Sequence, residues 1–188
     1  AHAAIYVGTT NDLVRMGLDK DPRVKKFWKE FAARDASGHE HVILEAVPRG
    51  VRITTLEHCI GIADSAAVMR PRIAPDRLPE VIAKAFVHLG KPYDFEFDFF
   101  STDKLVCTEL VYRSCGDDVQ FPLVEVLGRK TLPPTELVRK FSNELGTTNA
   151  QLDFIAFLDG DEKKGRAKFV DEKVFIETLQ RPALTWLQ

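Results

Sequence analysis

Apolar and polar residues alternate in several short stretches of the chain and recur at helical spacing in several others. Residues 2–8 alternate loosely and run into Gly8-Thr9-Thr10-Asn11-Asp12, which reads as a strand followed by a turn. His41-Val42-Ile43-Leu44-Glu45-Ala46-Val47 is a second, more apolar strand. Pro48-Arg49-Gly50 is a turn signal and Val51 to Leu56 returns as a third strand, so the pair reads as a hairpin. Ala66 to Pro71 is a further strand, ended by its proline. Asp153 to Asp159 is another, and after a charged turn Arg166 to Val170 can pair back on it.

The helical signals lie between these strands. Val24, Phe27, Trp28 and Phe31 are spaced for one face in the charged stretch 20–36. They predict a short surface helix inside a long connection. Leu78, Ile82, Ala85, Phe86 and Leu89 predict a helix over 78–89, with Pro79 in its first turn and Gly90 past its end. A helix from about Cys107 to Ser114 is closed by Gly116. Another opens at Pro133-Pro134-Thr135 and runs to about Leu145, and a last one covers Glu172 to Leu179. Pro92 to Phe100 alternates Phe with acids and reads as an extended stretch with one buried face. Strands and helices mix without regular βαβ alternation, which argues for an α+β fold. At 188 residues the chain suits one domain, residues 1–188. Residues 11–40 form an insertion between the first two strands, to be read as a lid, a partner surface or decoration.

Composition narrows the function classes. A formal net charge of −2 gives no electrostatic case for nucleic acid or an anionic membrane. No apolar run is long enough to span a bilayer. No secretory signal is visible. The chain starts without a methionine and almost inside a strand, so location stays open between the cytoplasm and an exported or periplasmic site reached with a removed leader. Cys59, Cys107 and Cys115 are an odd number without metal-type spacing and do not make a disulfide framework. A Cys59–Cys115 bridge is compatible with the sequence, but two structural cysteines and one special one is the favoured reading.

The special one is Cys107. It sits where a short loop turns into an amphipathic helix, in Leu105-Val106-Cys107-Thr108-Glu109-Leu110-Val111-Tyr112. Unpaired N–H groups and positive partial charge at a helix start favour the thiolate, which is the nucleophile. Such a thiolate needs an imidazole beside it, and His2 is the candidate. Glu45 is a carboxylate inside an apolar strand, where it needs a partner. If the first two strands pair, Glu45 can bond one ring nitrogen of His2 and leave the other for Cys107. His39-x-His41 has no third or fourth ligand at suitable spacing for a metal. Glu109 reads as structural support, and Tyr93 as either a cleft wall or core.

Three segments together carry a family likeness. They are His2-Ala3-Ala4-Ile5-Tyr6-Val7-Gly8, Leu44-Glu45-Ala46-Val47-Pro48-Arg49-Gly50-Val51 and Cys107-Thr108-Glu109-Leu110-Val111-Tyr112. Gly90-Lys91-Pro92-Tyr93-Asp94 and the stretch Phe154 to Gly165 add to it. In this order they resemble the circularly permuted papain-like hydrolases of the NlpC-type superfamily, in particular the YiiX/YaeF-like branch. The resemblance implies a permuted papain-like fold, an antiparallel sheet packed on helices with the nucleophile at a helix N-terminus. It implies catalysis by Cys107, His2 and Glu45, with neither metal nor organic cofactor. It implies amide substrates, either peptide links such as those of cell-wall peptides or fatty-acyl amides. A lipid acyltransferase using the same Cys–His pair, and a binding module that keeps the cleft without catalysis, are the alternatives. The chain departs from the minimal pattern in the length of the 11–40 insertion and in lacking a strand ahead of the His2 strand.

Overall fold

The computed structural model describes residues 1–61, 63–97, 99–161 and 165–178. β1 (Ala4–Tyr6), β2 (His41–Val47) and β3 (Gly50–Thr55) form one antiparallel sheet in that order. β2 is apolar because both of its faces are covered: five consecutive residues, Val42 to Ala46, are buried. The β2–β3 hairpin turns where Pro48 and Gly50 signalled. Gly50 has a φ of 107°, and a Cβ there would lie 2.7 Å from the Lys91 carbonyl oxygen, so only glycine fits. The register sets Ala4 opposite Glu45 and Glu45 opposite Arg52.

The segment after β1 differs from its expected form. Thr9 and Asp12 are not a turn but a capping box: the Thr9 hydroxyl accepts the Asp12 N–H at 3.2 Å and Asp12 accepts the Thr9 N–H at 2.8 Å. They open α1 (Thr10–Arg15). A 3₁₀ turn (Leu18–Lys20) follows, then α2 (Pro22–Lys25) and α3 (Trp28–Phe31) in place of one surface helix over 20–36. Packing explains the breakage. Leu13, Leu18, Val24 and Phe31 are all at most 3% exposed, and the chain winds in short turns to seat each of them. They join the core formed by β2, β3 and α5 (Leu78–Val87), where the Phe31 and Phe86 rings meet edge-on at 5.5 Å. The insertion is therefore built into the core.

α4 (Leu56–Ile60) follows β3 directly, with the Thr55 hydroxyl capping it through the His58 N–H. β4 (Ser65–Pro71), β7 (Leu152–Asp161) and β8 (Arg166–Val170) form a second antiparallel sheet in the order β4-β7-β8. A hairpin of β5 (Val124–Val126) and β6 (Arg129–Thr131) was not signalled by the sequence. Beneath the second sheet lie α7 (Pro134–Glu144) and α8 (Glu172–Glu177), and Phe175 meets Phe141, Phe154 and Phe157 in a ring cluster. The expected end of that last helix at Leu179 falls outside the described residues.

The stretch 92–100 is not a half-buried strand. Tyr93 makes one parallel bridge to Leu105, and Phe95, Glu96, Phe99 and Phe100 lie in turns. Asp94 causes this. It is fully buried, accepts the Glu96 N–H at 2.9 Å and pairs with Lys104 at 3.2 Å, so the carboxylate turns inward. Phe95 and Phe97 are left 67% and 50% exposed, and only Phe99 reaches the core. Taken together, antiparallel sheets and packed helices make an α+β fold.

Candidate active site

Cys107 is the first residue of α6 (Cys107–Cys115), which packs against β1, β2 and α5. Val106 before it is extended, so the chain enters the helix abruptly and presents the Cys107 side chain at its start. Glu109 fixes that entry. Its carboxylate accepts the Val106 N–H at 3.4 Å and pairs with Arg113 at 2.6 Å, while Arg113 also donates to the Phe99 carbonyl at 3.0 Å. Burial holds the Glu109 carboxyl above its usual value despite Arg113. Glu109 is a brace for the loop and the helix.

His2 lies just ahead of β1, and the β1–β2 register carries it to Glu45. Its Nε2 donates to Glu45 Oε2 at 2.8 Å, which leaves Nδ1 for Cys107. The hydrogen bond with Cys107, and then the one with Glu45, raise His2 to about 9 in spite of burial. Burial alone would raise the Cys107 thiol. The bond from His2, the Ala3 N–H, the His2 charge and the Thr108 N–H outweigh it, and the thiol lies below its usual value. The two shifts have opposite sign and a common origin, the interaction of the Cys107 sulfur with the His2 ring.

Glu45 is 3% exposed, so its charge must be compensated. Burial works to raise its carboxyl. His2 and Arg52 together bring it below the usual value. Arg52 donates to Glu45 Oε1 through Nε at 2.9 Å and Nη2 at 2.7 Å, and through Nη2 to His58 Nε2 at 2.8 Å. The two carboxylate oxygens thus have separate duties, Oε2 toward His2 and Oε1 toward Arg52.

The structure brings His2, Glu45 and Cys107 together and places the other candidates elsewhere. His39 pairs with Asp35 at 3.1 Å, and the His41 ring donates to the Glu30 carbonyl at 2.9 Å. A register shift between His41 and Ile43 also takes His41 out of line with Glu45. All three cysteines are free. Cys115, at the far end of α6, is raised to about 12 by burial and then by Asp118. Cys59 on α4 is not a core cysteine but lies beside Glu45, and burial followed by that carboxylate raises it to about 11. Tyr93 is half-buried near Cys107, and its ring meets those of Phe95 at 5.1 Å and Phe97 at 6.4 Å. A cavity of about 1050 Å³ between Tyr112, Lys140 and Gln151 lies at the other end of α6 and holds none of these groups.

Sequence reasoning missed Arg52 and His58 and read Cys59 as a structural cysteine. A signal for Arg52 was present. In a hairpin closed between Val47 and Gly50, paired positions sum to 97, and 97 minus 45 is 52.

Among the described residues no helix is long and apolar enough to cross a membrane. Comparisons with curated proteins and with solved structures return no match. The family model described as permuted papain-like amidase enzyme, YaeF/YiiX, C92 family, matches residues 1–155, a span that contains His2, Glu45 and Cys107, and the chain belongs to this family of amidases.

Proposed function

We propose that the protein hydrolyses amide bonds through Cys107, His2 and Glu45. The observation that carries this is His2 bonded at Nε2 to the buried Glu45 carboxylate at 2.8 Å and close enough to Cys107 to raise the imidazole and lower the thiol. The Cys107 thiolate attacks the amide carbon. The oxyanion of the tetrahedral intermediate is held by the unpaired N–H of Cys107 at the start of α6. The C–N bond then breaks as Nδ1 of His2 gives its proton to the leaving nitrogen, and a thioester remains on Cys107. His2 takes a proton from water, the hydroxide equivalent attacks the thioester, and the thiolate leaves. Glu45 holds the ring in place and compensates its charge at each protonation.

The substrate carries a large apolar group on one side of the amide. Tyr93 stands beside Cys107 and is joined to the exposed rings of Phe95 and Phe97, a continuous aromatic path from thiol to solvent. A peptide with an apolar side chain or a fatty-acyl amide can lie on it. The same path favours, as a second reading, transfer of an acyl group from Cys107 to an amine in place of water.

Acetyl and decanoyl 4-nitroanilides test both parts. The parent should release nitroaniline from the decanoyl amide faster, and Cys107→Ala should abolish release. Phe97→Ser should raise KM for the decanoyl amide about fivefold, corresponding to about 1 kcal/mol of partial ring contact, and leave the acetyl amide unchanged. Hydrolysis that survives Cys107→Ala sinks the mechanism. Equal losses on both amides sink the aromatic path.

A further inference from the structure

Cys59 has no part in the proposed hydrolysis, yet it is placed with two residues that do. One nitrogen of His2, one carboxylate oxygen of Glu45 and the sulfur of Cys59 all lie within 4.8 Å of one another. They come from three elements, the segment before β1, β2 and α4. The structure assigns to these three side chains a second role, as a site for a divalent zinc-type cation whose occupation switches the hydrolase off. The inhibition rests on the His2 role proposed above; the binding does not.

The donor set is that of a zinc ligand triad: one thiolate, one imidazole, one carboxylate. Bonds of about 2.0–2.3 Å in a tetrahedral site put ligand atoms about 3.2–3.6 Å apart. His2 and Glu45, now 2.8 Å apart, must part by about half an ångström, and Cys59 must close by at most about 1.6 Å. Rotamer adjustment supplies both. Arg52 occupies only Oε1, and Oε2, now bonded to His2 at 2.8 Å, is the oxygen that passes to the ion. The thiolate and carboxylate supply two negative charges, the second of them shared with Arg52. His2 is 39% exposed and Cys59 partly exposed, so an ion reaches the site from solvent and a water completes the fourth position.

Binding displaces two protons to solvent, the thiol proton of Cys59 and the Nε2 proton of the His2 imidazolium. One proton then remains on the ring, at Nδ1. Ligation takes Nε2 from the Glu45 oxygen that holds the ring at 2.8 Å and draws the ring toward Cys59, so His2 no longer keeps its place against Cys107. Inhibition follows even though Cys107 itself is not ligated.

The decisive experiment uses the full chain carrying Cys107→Ala, which removes the thiol that would bind metal together with His2 in any cysteine hydrolase. Cobalt(II) is titrated in and read by the near-ultraviolet thiolate-to-cobalt charge-transfer band, and zinc(II) is then added in competition. One cobalt per chain with a charge-transfer band, displaced by zinc, is expected. Adding Cys59→Ser should abolish the band and weaken zinc about tenfold or more, while the serine hydroxyl keeps a hydrogen bond to Glu45. Adding His2→Gln instead should weaken zinc to a similar degree, and this arm decides the matter if the Cys59 variant does not fold. No band with Cys107→Ala alone, or a band that survives Cys59→Ser, overturns the site. So does unchanged zinc affinity in the His2→Gln protein. Because none of these readouts uses amide hydrolysis, a failure of the hydrolase reading stays separate from a failure of the metal site.

Discussion

Replacing Glu45 with Gln should cost far more than the loss of one charge, because Arg52 decides which way the amide points. Glu45 offers two acceptor oxygens, and both are used: Oε2 by His2 at 2.8 Å, Oε1 by two Arg52 donors at 2.9 and 2.7 Å. A glutamine has one oxygen and one NH₂ group. If its oxygen faces His2, its NH₂ meets the Arg52 guanidinium donor to donor. If its oxygen faces Arg52, its NH₂ faces His2, Nε2 must become the acceptor, and the ring proton moves to Nδ1. In that tautomer His2 does not take the thiol proton of Cys107. Two bonds from a charged donor, about 1.5–3 kcal/mol each, compete against one neutral bond of about 1 kcal/mol. Allowing for partial exposure of Arg52, the wrong orientation wins by about 2 kcal/mol, a factor of about 30. Loss of the carboxylate charge adds about 1.4 kcal/mol, another factor of 10. kcat/KM for decanoyl 4-nitroanilide should therefore fall about 300-fold. The rate of Cys107 alkylation by iodoacetamide at pH 6 should fall with it. Glu45→Gln combined with Arg52→Met frees the glutamine oxygen for His2 and should recover about 30-fold over Glu45→Gln alone. A single variant within threefold of the parent, or a double variant no faster than the single, refutes the orientation argument.

Substoichiometric iodoacetamide near pH 6 should label Cys107 ahead of Cys59 and Cys115, whose thiols are raised to about 11 and about 12; earlier labelling of either, mapped by mass spectrometry, contradicts the placement of the thiolate. Amide hydrolysis should be bell-shaped in pH: the imidazolium, raised to about 9, is present below that value and lost as pH rises through it. The thiolate, with its pKa lowered, is lost as pH falls through that depressed value, so the acid limb should lie below pH 9, the ordinary thiol value, and both limbs belong to the coupled pair. Phe31→Ala should cost about 3–5 kcal/mol in urea unfolding, since the ring is 1% exposed against Phe86; a loss under 1 kcal/mol would return the insertion to decoration. Arg52→Met should move the acid limb of the rate profile upward, because Glu45 then competes for protons; an unmoved limb would make Arg52 a surface residue and nothing more.

Strands with a turn residue at each end were legible because their pattern and punctuation agree. β2 was read at its observed limits, and the α5 and α6 helices within two residues. Cys107 and Glu45 could be singled out because each breaks a local rule, a thiol at a helix start and a carboxylate in an apolar strand. The failures have physical causes as well. Thr9 to Asp12 carries turn residues and capping residues alike, and only the packing of Leu13 decides for a helix. The 20–36 stretch has helical spacing, but seating Val24 and Phe31 in one core cluster breaks it. In 92–100 the period of two is genuine while the buried member is Asp94, because Lys104 arrives from ten residues away to pair with it. Cys59 was read as a structural cysteine since its neighbours, Glu45 and His2, are brought to it only by the sheet and the turn into α4.

Arg52 gives the site its coherence. In the proposed cycle His2 gives up its proton to the leaving nitrogen and is neutral until water is deprotonated. A buried carboxylate whose sole partner was His2 would be uncompensated at that moment and would tend to take up a proton itself. With Arg52 on Oε1, Glu45 has a cation beside it in both protonation states of the ring, which favours the carboxylate and with it Nε2 as the donor. Cys107 then always meets the same ring nitrogen, which receives and returns protons on one side only. The carboxylate earns its place over an amide in this chain for that reason: it has a second oxygen with which to hold the cation that keeps it charged. The residue across the hairpin is thus as much a condition of the proposed thiolate–imidazolium pair as the helix start that presents the sulfur.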